Sequence, residues 1–117
     1  MRQHAALLAL SFALAGCPAV GYETELGDCP DGSSITWADA SAAFDANCTR
    51  CHDSSLTTSS ERLSAPQGWD YDTAELARRD ADESWTRIYT GNMPPDADMS
   101  DEDKAVIWEW YSCDAPD

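Results

Sequence analysis

The stretch Cys48-Thr49-Arg50-Cys51-His52 decides how the rest of the chain is read. Two thiols two residues apart, followed at once by an imidazole, form the C-x-x-C-H pattern of covalent haem attachment. The chemistry needs that spacing: each thiol forms a thioether to one vinyl group of a single haem, and the adjacent His binds iron from the proximal side. Three residues must coincide, so the signal is specific. Other readings compete for the same residues. A zinc site wants a second set of paired ligands, whereas Cys29 and Cys113 stand apart and His4 is the only other histidine. A redox-active thiol pair wants a strand before it in a βαβ context, and the segment before Cys48 has a helical period instead. A Cys48–Cys51 disulfide would leave His52 unexplained. Haem attachment uses all three residues, and it makes Cys48, Cys51 and His52 the expected cofactor site.

The flanking sequence predicts helices. Thr36-x-x-Asp39 has the spacing of a capping box, with Asp where Glu or Gln is usual, and Trp37, Ala40 and Phe44 recur at i, i+3 and i+7. A helix over about 36–47 follows, with Trp37 and Phe44 as core residues running directly into the Cys48 motif. Ser100 followed by Asp101-Glu102-Asp103 is an N-cap with an acidic first turn, and Val106, Ile107, Trp110 and Tyr111 form the apolar stripe of a closing helix. Between these, Asp72 or Thr73 caps a segment through Arg79, and Asp82 caps Glu83 to Thr90, with Trp85, Ile88 and Tyr89 on one face and Gly91 at the end. The Ser- and Thr-rich stretch 53–64 reads as a loop without chemistry. The expected fold class is all-α.

At 117 residues the chain has room for one small domain. Its formal charge of −15 excludes nucleic acid as a partner, because that affinity comes from Lys and Arg that neutralise phosphates. Five Trp and a 43% apolar share exclude a wholly disordered acidic chain. The N-terminus reads as an export signal: a short basic start at Arg2, an almost unbroken apolar run from Ala5 to Leu14, then small residues. That run is too short to remain as a membrane span. Leu14-Ala15-Gly16-Cys17 resembles the lipobox of bacterial lipoproteins, which implies a signal peptide over 1–16 and acylation of Cys17; an ordinary cleaved signal is the other reading. Residues 17–34, with Pro, Gly and acids in no regular period, read as a tether, and 35–117 as the folded domain.

If His52 is the fifth ligand, the sixth must come from elsewhere, and beyond the signal no second His exists. Methionine is the leading soft neutral donor. Met93 lies in Gly91-Asn92-Met93-Pro94-Pro95, where two prolines stiffen the loop that would present the sulfur. Met99, in an acidic linker, and an open or water-bound position are the alternatives. The cysteine count agrees: with Cys17 lipidated and Cys48 and Cys51 on haem, Cys29 and Cys113 remain as a pair in an oxidising compartment. A bridge between them would close a loop long enough to be worth about 4 kcal/mol in the chain-entropy model.

Taken together, residues 36–113 resemble a monohaem class I cytochrome c: Phe44 four residues before the first haem Cys, C-x-x-C-H at 48–52, a Met-Pro-Pro segment, and an aromatic-rich closing helix. The resemblance implies a cytochrome c-like fold in which the first and last helices cross near the edge of one covalent haem c. It also implies that a proline carbonyl accepts the proximal His N–H. Pro66 is the matching residue, although Ala65 stands where the family has Gly. Trp69 and Tyr71 sit loosely where the family has an aromatic donor to a propionate, with a core role as the plainer alternative.

A His/Met iron has no exchangeable position, so the expected function is electron transfer rather than enzyme activity. The expected partners are redox proteins, with a basic docking face if the acidic surface steers them, and the membrane through the lipid anchor. A monomer on the periplasmic side of the outer or inner membrane is expected. A haem-based sensor or small peroxidase with a displaceable sixth ligand is the alternative function, and a structural lipoprotein with a chance C-x-x-C-H is a third.

Overall fold

In the computed structural model, α1 (Trp37–Asn47) begins where its cap requires. The Asp39 carboxylate accepts both the backbone N–H (2.8 Å) and the hydroxyl (3.0 Å) of Thr36. These contacts satisfy donors that the first helical turn cannot. At the other end the Cys48 N–H reaches Phe44 O at 2.8 Å, and the chain tightens into a turn in which the His52 N–H bonds Cys48 O at 2.9 Å. The Cys48–His52 segment is thus the turn that follows α1 directly.

The structure describes residues 25–117, so the expected signal peptide (1–16) and Cys17 lie outside the described residues. Within them the fold is all-α with no strand. α2 (Ala74–Arg78) and α3 (Ala81–Tyr89) follow, then α4 (Asp101–Ser112). Thr73 caps α2, its hydroxyl accepting the Leu76 N–H, and Ser100 caps α4 through the Asp103 N–H at 3.1 Å. α3 starts two residues earlier than the sequence suggested. Asp80 rather than Asp82 is its N-cap, because the Asp80 carbonyl already takes the Ser84 N–H at 2.9 Å.

The core forms where α1 crosses α4. Phe44 and Trp110 are fully buried, with ring centroids 5.5 Å apart and planes near perpendicular, and Trp37 covers both at 5.3 and 5.1 Å. Edge-to-face pairs of this kind add about 0.5–1.5 kcal/mol beyond the area they bury. Asn47 at the end of α1 donates to Asp103 in the first turn of α4 at 2.8 Å, which fixes the crossing. Tyr111 reaches across to the Ala77 carbonyl at 2.8 Å and holds α2 against α4.

The described half of the expected tether is part of this body. Cys29 and Cys113 are joined by a disulfide, Cα–Cα 4.5 Å, which fastens the N-terminal stretch to the end of α4. Trp108 Nε1 donates to the Glu25 carbonyl at 3.2 Å, and the Ser33 hydroxyl donates to Glu109 at 2.6 Å. Pro and Gly content suggested a loose linker over 17–34, but the crosslink and these contacts hold residues 25–34 along α4.

Candidate functional site

α1, the loop 53–70 and the end of α3 enclose a cleft of about 440 Å³, within the range of cofactor and small-molecule pockets. Cys48, Cys51 and His52 line it from the turn after α1, and Met93, Pro94 and Met99 from the segment between α3 and α4. The sequence-predicted attachment residues and both candidate methionines therefore meet at one cavity. Met99 is also part of the buried core, 5% exposed, whereas Met93 is half-buried on its loop.

His52 is held on three sides. Its Nδ1 lies 2.6 Å from the Trp69 carbonyl. A carbonyl only accepts, so Nδ1 carries the proton and Nε2 keeps the lone pair that a metal would use. The Tyr71 N–H donates to the His52 carbonyl at 2.9 Å, and the Tyr71 ring meets the imidazole edge-on at 5.5 Å. Tyr71 in turn stacks on Phe44, centroids 5.8 Å apart and planes 8° from parallel, while its hydroxyl pairs with Ser84 at 2.8 Å. The core of α1 and α4 is thereby continuous with the imidazole. Burial raises the Tyr71 phenol above its ordinary value, so it is neutral at physiological pH.

Pro66 does not take the role that the resemblance gave it. Its carbonyl is occupied by Arg62 Nη2 at 2.8 Å, and the chain turns at Gly68, in the left-handed region at φ 90°, before Trp69 O reaches His52. The acceptor is three residues further along.

Arg62, in the loop read as empty of chemistry, is the residue the sequence did not reveal. It is 1% exposed, and its guanidinium donates to the carbonyls of Asp53, Leu56, Ala65 and Pro66 and to the carboxylate of Asp70. Its neighbour Leu63 faces the other way. Leu63 and Ser64 both adopt positive φ (49° and 71°), and Leu63, 59% exposed, lies beside the cleft.

Before the Met93 loop, Gly91 ends α3 at φ 75°, and the Arg87 carbonyl then accepts the N–H groups of both Asn92 and Met93 at 2.9 Å. A side chain at Gly91 would be strained in that conformation. The Arg50 guanidinium, between the two cysteines in sequence, crosses to the Asp96 carboxylate at 2.5 Å and ties the Met93 loop to the Cys48–His52 turn. That contact holds the Asp96 carboxyl below the ordinary carboxylate range.

Burial pushes the Cys48 thiol up to about 12, with Asp103 and Asp45 adding to it. A reactive redox thiol has its value lowered by nearby positive charge, so Cys48 is the opposite of a nucleophilic thiolate. Among the described residues, no three His, Cys, Asp or Glu side chains are grouped as ligands of a single ion. Scanned against protein-family models, curated proteins and solved structures, the chain matches none of them.

Proposed function

We propose that this chain is an electron carrier of the cytochrome c type: Cys48 and Cys51 would hold one haem covalently, and His52 and Met93 would ligate its iron. The observation that carries the reading is the meeting of the C-x-x-C-H turn and the Met93 loop in the lining of one largely apolar cleft. The residues present suit the group. Two free thiols two residues apart are available for thioether bonds, and an imidazole protonated at Nδ1 offers Nε2. Leu63, the one large apolar side chain exposed among the described residues, borders the cleft, where a planar apolar group would cover it.

Bound haem would supply one-electron exchange between ferric and ferrous iron. The chain's own residues do the rest. Trp69 O keeps the Nδ1 proton in place and makes the imidazole a stronger donor. Phe44, Tyr71, Ile88 and Pro94 line the cleft and keep water from its interior. Met93, offered as a sixth ligand, would close the position that an external substrate needs. In the same reading the protein is exported and lipid-anchored at Cys17, works on the periplasmic side of a bacterial membrane, and meets redox partners through an acidic surface whose attraction weakens as salt rises.

The test is the visible spectrum of the full chain produced with a haem-maturation system. A weak far-red band of the ferric protein, characteristic of sulfur ligation, should be present, vanish in Met93→Ala and survive in Met99→Ala. Survival in Met93→Ala with loss in Met99→Ala would move the ligand to the buried methionine. Attached haem with no such band would replace the carrier by a sensor or small peroxidase. A colourless protein would remove the haem reading altogether.

A further inference from the structure

The chain has only seven Lys and Arg residues, and among the described residues it buries one of them, Arg62, almost completely. Arg50, Arg78, Arg79 and Arg87 also form ion pairs, but their side chains are 35–65% exposed; that of Arg62 is 2% exposed and that of Asp70 10%. Burying an ion pair is a weak route to stability, since apolar residues of similar volume do as well or better. What a buried pair with a full set of hydrogen bonds provides is one specific geometry.

The geometry fixed here is that of His52. Residues 69–71 grip the histidine at three points: Trp69 O on Nδ1, the Tyr71 N–H on the His52 carbonyl, and the Tyr71 ring against the imidazole. Asp70 is the middle residue of that grip, and Arg62 Nη2 holds its carboxylate at 2.7 Å. The same Nη2 lies 3.4 Å from Trp69 O, the oxygen that accepts from His52. The other guanidinium nitrogens hold the Asp53, Leu56 and Ala65 carbonyls, so the loop that leaves His52 and the segment that returns to it are joined through one side chain.

We propose that Arg62 is the positioning residue for His52: by holding residues 69–71 through Asp70 and Trp69, it fixes the imidazole's orientation, its tautomer and its strength as a ligand. This rests on the haem reading for its consequence but not for its geometry. A planar fork is needed, because one group must face the Asp70 carboxylate, the Trp69 and Pro66 carbonyls and the far side of the loop together. An ammonium keeps the charge and cannot cover those directions. If the grip loosens, the Nδ1–H···O bond weakens, the imidazole becomes less basic, and ferrous iron gains relative to ferric.

The test compares the full chain with Arg62→Lys and with the charge-neutral pair Arg62→Met/Asp70→Leu, each brought through haem maturation. The double variant replaces the ion pair by apolar volume, which guards against a chain that fails to fold merely because one charge is left buried. Two quantities are read: the ¹⁵N resonances of the His52 ring with the exchange rate of its Nδ1 proton, and the reduction potential. Both variants should speed Nδ1 proton exchange at least tenfold and shift the redox equilibrium at least threefold toward ferrous, about 30 mV at 59 mV per tenfold for one electron. Agreement in sign between them separates a loosened ligand from the removal of a charge. Unchanged exchange and unchanged potential in folded, haem-bearing variants would overturn the proposal and leave the carrier reading intact. If the wild-type chain binds no haem the carrier reading falls, and the His52 tautomer and proton exchange alone decide the role of Arg62.

Discussion

The two walls of the cleft are built by different means. The His52 wall is held from inside, by a buried guanidinium, a carbonyl on Nδ1 and an aromatic stack that runs from the imidazole through Tyr71 to Phe44 in the core. The Met93 wall is held from outside. Its loop hangs from one carbonyl at the end of α3, is stiffened by Pro94 and Pro95, and is tied down by a solvent-exposed Arg50–Asp96 pair with side chains 65% and 56% exposed. Buried, fully paired groups open only when a large part of the fold opens, whereas a surface-tied loop opens locally. One side of the cleft is therefore permanent, and the other is the side that gives way. On the proposed reading, His52 is the ligand held more firmly and Met93 the one held less firmly.

The most damaging way to break the comparison is to remove the support beneath the permanent wall. Phe44 is fully buried between Trp37, Tyr71, Trp110 and Tyr111, so Phe44→Ala should lower unfolding stability by about 3–5 kcal/mol, read as a fall in the urea midpoint. His52 should lose order with it, because Tyr71 loses the ring it stacks on. A stability loss below about 1 kcal/mol would mean that the stack does not carry the wall. A smaller loss is expected from Cys29→Ser/Cys113→Ser. The bridge spans 84 residues of sequence and constrains the unfolded chain, so its removal should cost about 2–4 kcal/mol. It joins the N-terminal stretch to α4 and touches neither wall, so the His52 ring resonances should stay where they are. A shift of those resonances would show the two ends of the molecule to be coupled.

Much of the permanent wall was legible in the sequence. Trp37, Ala40 and Phe44 at helical spacing, the Thr36–Asp39 box and the Ser100 cap give α1 and α4 nearly to the residue, because caps and apolar periods are local signals. That a turn carrying Cys48, Cys51 and His52 follows α1 directly was legible from the same local signals. What holds His52 was not legible. An arginine among serines and threonines looks like a solvated charge, and its partners are mostly backbone carbonyls, which every residue carries and no motif marks. The resemblance points to Pro66, but the acceptor depends on the path of the loop, and the turn at Gly68 moves it to Trp69. The stretch 25–34 has a linker's composition, and it is a crosslink 84 residues away, with the contacts of Glu25 and Ser33 to α4, that makes it part of the body. The Met93 loop was easier to see, since prolines and a terminal glycine announce themselves.

A gentler change should affect only the exposed wall. Arg50→Gln removes the tie to Asp96 while leaving both cysteines and His52 in place. Exposed pairs contribute little to global stability, so the urea midpoint should not move. In the haem-loaded protein, exogenous imidazole should bind two- to fivefold more tightly, because closing the Met93 loop competes with it. Equal affinity in the variant and the wild type would mean that Pro94, Pro95 and the Arg87 carbonyl close the loop by themselves.

The smallest effect distinguishes the walls by how they respond to salt and acid. Asp96 on the outer wall and Glu61 on the loop behind His52 both have carboxyls held below their ordinary values, Asp96 by the Arg50 guanidinium and Glu61 by the Thr58 hydroxyl and the Thr57 and Thr58 N–H groups. A carboxyl lowered in the folded state stabilises above its unfolded value, and that contribution is lost as pH falls through the folded one. Both segments should therefore loosen on acidification below the ordinary carboxylate range. Salt at neutral pH should loosen only one of them, because an exposed ion pair is screened whereas hydrogen bonds from neutral donors to a carboxylate are not broken by ionic strength. Amide hydrogen exchange of residues 92–98 should rise with added sodium chloride at pH 7, and exchange of residues 57–62 should not. Equal responses to salt would mean that the loop behind His52 also depends on long-range charge, and the contrast between an inner and an outer means of support would then rest on Arg62 alone.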